Sequence, residues 1–149
     1  MTSLDTEFKK VEMEVVTENR TDETSSLQKF MQSFQKLEVI FEEGSTGDEM
    51  YLIHSGKVSL QAGHGTAGEV TLAVLNPGDF FGEMALVDNY ERSATAVATE
   101  DNTQLIALDK AKFMFMIQQQ PQFALTVMHT LGQRIRNLDK QLSSSGGSA

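Results

Sequence analysis

From Leu37 to Leu108 the chain alternates short apolar runs with clusters of glycine, asparagine and acidic residues. Leu37–Phe41 leads into Glu42, Glu43 and Gly44, and Met50–Ile53 into His54, Ser55 and Gly56. Val58–Ala62 leads into a tip from Gly63 to Gly68, and Val70–Leu75 into Asn76-Pro77-Gly78-Asp79. Thr95–Ala98 and Thr103–Leu108 follow, with Glu100, Asp101 and Asn102 as the turn between them. Strands at such regular intervals, joined by tight turns, predict an all-β sandwich or roll. The periodicity changes at both ends. With Ser25 or Ser26 as cap, Leu27, Phe30, Met31 and Phe34 fall at i, i+3, i+4, i+7 and predict a helix. Asp109 caps a second predicted helix through Phe113 and Ile117, which ends at Gln118, Gln119 and Gln120. Pro121 then opens a third, to about Leu142, because proline suits a first helical position.

That last helix carries Ala124, Met128, Leu131, Ile135, Leu138 and Leu142 at spacings of 4, 3, 4, 3 and 4. Any surface helix needs an apolar stripe to lie on its own domain. A seam this narrow and regular also suits pairing with a second copy of itself, a homodimer through 121–142.

The ends of the chain read differently. Residues 1–24 are rich in Glu, Thr, Asp and Lys. Val11, Met13 and Val15 alternate there with Glu12 and Glu14, which fits a short half-buried strand and a disordered extension equally well. Residues 143–149 are Ser/Gly-rich and are expected to form a flexible tail. The division is therefore an extension over 1–24, one domain over 25–142 and a tail over 143–149.

At 149 residues and 40% hydrophobic content the chain is long enough for one buried core. No apolar run is long enough to span a bilayer, and the start does not resemble a signal peptide, so a soluble cytoplasmic protein is expected. The absence of cysteine excludes disulfides, thiolate-bound haem and cysteine-ligated iron–sulfur clusters. His54, His64 and His129 have no metal-like spacing, so no metal is expected. A net charge of −9 argues against nucleic acid and against anionic membrane surfaces. A small anionic ligand stays compatible with it, because one buried arginine acts locally whatever the distant charges do.

The stretch Gly78 to Thr95 supplies such an arginine. Gly82, with no Cβ, permits φ > 0 or a close ligand approach. Glu83 is acceptor-only when ionised, which suits a sugar hydroxyl. Glu83–Leu86 predicts one helical turn whose free N–H groups point at an anion. Arg92 presents a planar fork to phosphate oxygens, Ser93 adds a hydroxyl, and Ala94 keeps the approach open. A carboxylate for a sugar and an arginine for a phosphate describe a nucleotide-sized ligand. A surface salt bridge across a hairpin, with ordinary turn glycines, is the plainer reading of Glu83 and Arg92. Order, spacing and flanking residues together favour the binding site.

Phe81-Gly82-Glu83-Met84-Ala85-Leu86, then a short loop and Arg92-Ser93-Ala94-Thr95, resembles the phosphate-binding cassette of the cyclic-nucleotide-binding domain family. The similarity extends over roughly Leu27 to Leu142. It implies a jelly-roll-like β-roll (a double-stranded β-helix) with an N-terminal helix and two C-terminal helices. It also implies that Glu83 holds the ribose 2′-hydroxyl and that Arg92 pairs with the cyclic phosphate. Backbone amides around Ala85, Leu86 and Ser93 would complete the cradle, and the last helix would close over the base. By position, Arg136, Leu138 and Gln141 are the residues expected to reach the purine. Ser93 after the arginine tilts the expected ligand towards cAMP over cGMP.

The expected function is a stand-alone regulatory or sensor module that signals through an unknown protein partner or a dimer change. It is expected to act without a DNA-binding, kinase or channel segment of its own. Alternatives are a scaffold of the same fold without ligand, and the sensor half of a truncated transcription regulator. An enzyme is not expected, because no acid–base pair or metal cluster at defined spacing accompanies Glu83.

Overall fold

The computed structural model describes residues 30–88 and 90–147, with side chains as far as residue 140. Eight strands come first in the described chain: β1 Met31–Phe34, β2 Val39–Phe41, β3 Met50–Ser55, β4 Val58–Ala62, β5 Val70–Leu75, β6 Phe80–Phe81, β7 Thr95–Ala98 and β8 Thr103–Leu108. A 3₁₀ turn over Glu83–Leu86 interrupts them, and helices α1 Lys110–Gln119 and α2 Gln122–Gly147 close the fold. The strands form two four-stranded antiparallel sheets, ordered β1-β8-β3-β6 and β2-β7-β4-β5. This is the mainly β jelly-roll architecture with two C-terminal helices that the sequence predicts.

The two-residue side-chain period of a strand divides the core in two. Met50 and Leu52 of β3, with Ile106 and Leu108 of β8, face Met116 of α1 and Phe123 and Val127 of α2. The intervening Tyr51, Ile53, Leu105 and Ala107 face the other sheet, against Val58 and Ala96. The first sheet is thus covered on both faces, which is why β3 and β8 read as continuous apolar runs rather than alternating ones. Phe113 of α1 meets Phe123 of α2 at a centroid distance of 5.6 Å, pinning the helices to each other.

Three expectations change. Met31 and Phe34 belong to β1, paired with Ile106 and Thr103 of β8, and not to a helix. The apolar i, i+3 spacing of a four-residue strand with half-buried ends imitates a helical stripe. Phe30 is a turn residue whose carbonyl accepts from the Ala107 amide at 2.9 Å; Leu27 and the Val11–Val15 segment lie outside the described residues. The strand expected from Leu37 begins at Val39, because Leu37 turns the chain at a φ of 73°. Finally, α2 starts just after Pro121 and runs through Gly147, past Leu142 into the Ser/Gly-rich stretch.

Candidate functional site

The cassette lies between the two sheets at one end of the roll. Its 3₁₀ turn occupies the same residues as the predicted helical turn, Glu83–Leu86, and is entered through Gly82 at a φ of 75°. A cavity of about 460 Å³ opens beside it, within the range usual for small-molecule sites. Phe81, Gly82, Glu83, Met84, Ala85, Arg92, Ser93 and Ala94 all line it, so eight of the nine cassette residues expected at the site meet there. The ninth, Leu86, turns its side chain to the core cluster of Met50 and Phe80. The Ala85 amide, expected in the cradle, donates to Gly82 O at 3.2 Å within the turn.

Arg92 is only 8% exposed. Its Nη1 donates to Gly82 O at 3.2 Å and its Nη2 to Glu49 O at 2.8 Å. Its Nε is buried without a hydrogen-bond acceptor. Among the described residues no carboxylate lies within ion-pair distance of this guanidinium. A buried cation costs several kcal/mol in desolvation unless it is compensated, so neutral carbonyls alone leave a strong attraction for an anion. Two glycines make room for it. A Cβ at Gly47 would stand 2.6 Å from Arg92 Nη2, and one at Gly82 would stand 2.7 Å from Nη1.

Glu83 sits across the cavity lining and is paired through Oε1 with Arg134 Nη1 at 3.2 Å. Arg134 Nη2 also donates to Phe80 O at 2.6 Å, and its guanidinium lies 4.5 Å from the Phe80 ring centroid. One side chain of α2 therefore reaches the cassette carboxylate and forms part of the cavity wall. Sequence reasoning missed this residue and chose its neighbours. Arg136 and Leu138 are exposed and do not line the cavity, and the side chain of Gln141 lies outside the described residues. The cause is helix phase. Residues two apart differ by about 200° around a helix, so Arg134 and Arg136 face opposite ways. Gly47, Phe41 and Tyr90 also border the site or its arginine without having been singled out. Gly47 carried one available signal, its place in a Thr-Gly-Asp run, which does not reveal a distant arginine.

No group of three or more His, Cys, Asp or Glu side chains could hold a metal among the described residues. Among them, too, no helix is long and apolar enough to cross a membrane. The cavity lining combines the Arg92 guanidinium, the Glu83 carboxylate and apolar side chains from Leu60, Ala73 and Leu75.

Comparison with known proteins agrees with that geometry. The family described as "cyclic nucleotide-binding domain" matches residues 31–120. The cyclic AMP receptor protein of Thermus thermophilus is 45% identical over 103 residues, covering 69% of this chain and 47% of that protein. The chain thus spans about half the length of that relative. The crystal structure of Thermus thermophilus catabolite activator protein superposes with a TM-score of 0.68 at 35% identity, covering 87% of this chain and 61% of the other. EAL enzyme Bd1971 matches in its cAMP-bound form at TM-score 0.53 and 31% identity, covering 76% of this chain and 30% of that one. Its cGMP-bound form matches at 0.52 and 32%, covering 71% and 28%. The matched family span runs from β1 to the residue after α1 and encloses the whole cassette, so the chain belongs to the cyclic nucleotide-binding domain family.

Proposed function

We propose that this domain is a regulatory sensor that binds a cyclic nucleotide, cAMP in preference to cGMP. It passes the signal through α2 to a dimer partner or another protein. The observation that carries the reading is Arg92, buried in the wall of a nucleotide-sized cavity with neutral acceptors only and a spare, buried Nε–H. A cyclic phosphate supplies the missing anion. Glu83 accepts the ribose 2′-hydroxyl through the oxygen not taken by Arg134. Ser93 rather than threonine after the arginine, and the name of the Thermus relative, support cAMP. The two liganded forms of the EAL enzyme keep cGMP as the competitor to test.

Arg134 supplies the route out of the site. It ties α2 to the same carboxylate that meets the sugar, so a ligand that favours one Glu83–Arg134 geometry biases the seating of the helix. Such a bias equals the ligand's difference in affinity for the two seatings.

Calorimetry with cAMP and cGMP on the wild type and on Arg92→Ala tests the reading. Removing one partner of a buried charge pair costs about 2–5 kcal/mol, so affinity falls by a factor of about 30 or more. The variant is expected to stay folded, which a cooperative thermal transition checks. Equal affinities in the two proteins, or no binding by the wild type, would overturn it.

A further inference from the structure

We propose that Phe41 is a positioning residue for Arg92: its ring holds the guanidinium towards the cavity and offsets its burial without neutralising it. The inference rests on the phosphate-binding role of Arg92 given above.

The segment Phe41–Glu49 read from sequence as a strand end and a turn, yet every surface that fixes Arg92, apart from Gly82, belongs to it. The Arg92 amide donates to Ser45 O at 2.7 Å, and the Gly44 amide donates to Arg92 O at 2.8 Å. Glu49 O takes Nη2, and Gly47 leaves the space that the guanidinium fills. The guanidinium carbon then lies 4.2 Å from the Phe41 ring centroid. Phe41 is itself braced, with centroids 6.0 Å from Tyr51 and 5.8 Å from Phe81, and those two rings stack at 5.3 Å. A braced ring can set the direction of a long side chain, where a mobile one could not.

The choice of an aromatic partner has a chemical consequence. A carboxylate at this distance would neutralise Arg92 and compete with any phosphate for its donors. The negative face of a ring attracts the cation through its quadrupole but takes no N–H in the guanidinium plane. The Nε–H keeps no acceptor and the charge stays whole. Arg134 shows the contrast: it too lies over a ring, that of Phe80, but its charge is committed to Glu83.

Fluorination of the ring at position 41 separates this role from packing, because it drains the quadrupole while keeping the shape. Mono-, di- and trifluorophenylalanine placed at 41 alone are expected to weaken cAMP binding stepwise, by about tenfold across the series, while the protein still unfolds in one cooperative transition. In parallel, the Nε–H resonance of Arg92, assigned by its loss in Arg92→Lys, is expected to lie upfield in the wild type and to return to its usual position in Phe41→Leu. A flat affinity series in a protein that binds cAMP overturns the proposal. If the wild type binds no cyclic nucleotide, the binding reading fails by itself and the resonance decides on Phe41: an Nε–H signal unmoved by Phe41→Leu overturns the proposal, and a shifted one supports it.

Discussion

Leu37 is held at a φ of 73°, in the left-handed region, with its side chain 72% exposed. A β-carbon there costs about 1–2 kcal/mol, and this exposed leucine regains little of it by packing. The other non-glycine residue at positive φ among those described is Asn102, whose type tolerates the region. Leu37→Asn should therefore stabilise the domain, by about 0.5–1 kcal/mol, seen as a higher midpoint in thermal or urea unfolding. A lower midpoint would mean that the leucine has a packing partner beyond the described residues. Tyr51 gives a second test at this scale. Burial, assisted by Glu49 and Asp48 and opposed by Arg92, raises its phenol above the ordinary 10.0. The folded state then holds its proton more tightly than the unfolded chain does. The associated stability is complete below pH 10.0 and is lost as pH climbs towards the folded value. Tyr51→Phe should flatten the alkaline limb of the stability profile above that pH and leave the neutral region unchanged in slope.

Elements were legible wherever local pattern and long-range pairing agreed. β7 and β8 carry the boundaries that their apolar runs predict, and Asp109 caps α1 as expected by accepting from the Lys112 amide at 2.9 Å. Asp109→Ala should cost about 1 kcal/mol, readable as a drop in thermal midpoint, with Asp109→Ser recovering most of it. Where the two levels disagreed, the sequence misled. β1 exists because β8 offers it an edge, and four residues are too few for a two-residue period to outweigh a chance helical spacing. α2 shows a different limit. The helix docks through Phe123, Val127 and Leu131, a stripe that lies one position before Ala124 and Met128 of the heptad seam and shares Leu131 with it. Both stripes are apolar, so nothing in the sequence says which one faces the roll. The phase that selects Arg134 over Arg136 was undetermined for that reason. The cassette was legible because its chemistry is contiguous; the seat of Arg92 was not, since Gly47 and Phe41 reach it only through the fold.

At the scale of the molecule, the docking of α2 leaves an apolar row exposed among the described residues. Met128 is 66% exposed, Ile135 61% and Leu138 57%, all on heptad positions, while the same helix already buries Phe123 and Val127 against the roll. A helix that satisfies its own domain with one stripe has no use within the monomer for a second one. Knobs-into-holes pairing with the same row of another copy is the arrangement its spacing fits. The residue for the test follows from the structure. Leu131 belongs to the seam but also packs on the core cluster, so changing it would confuse dissociation with unfolding. Ile135→Glu puts like charges face to face at the centre of a paired seam, at a position 61% exposed and outside both core clusters. Light scattering should give a dimer for the wild type and a monomer for Ile135→Glu, with thermal unfolding of the variant becoming independent of concentration. Because the cavity is lined within one chain, the monomer should still bind cAMP, and any loss of affinity would measure how far the pairing of α2 supports the Arg134–Glu83 contact. A wild type that scatters as a monomer at the highest accessible concentration would end the self-pairing hypothesis, and the signal from α2 would then have to be read by a different protein.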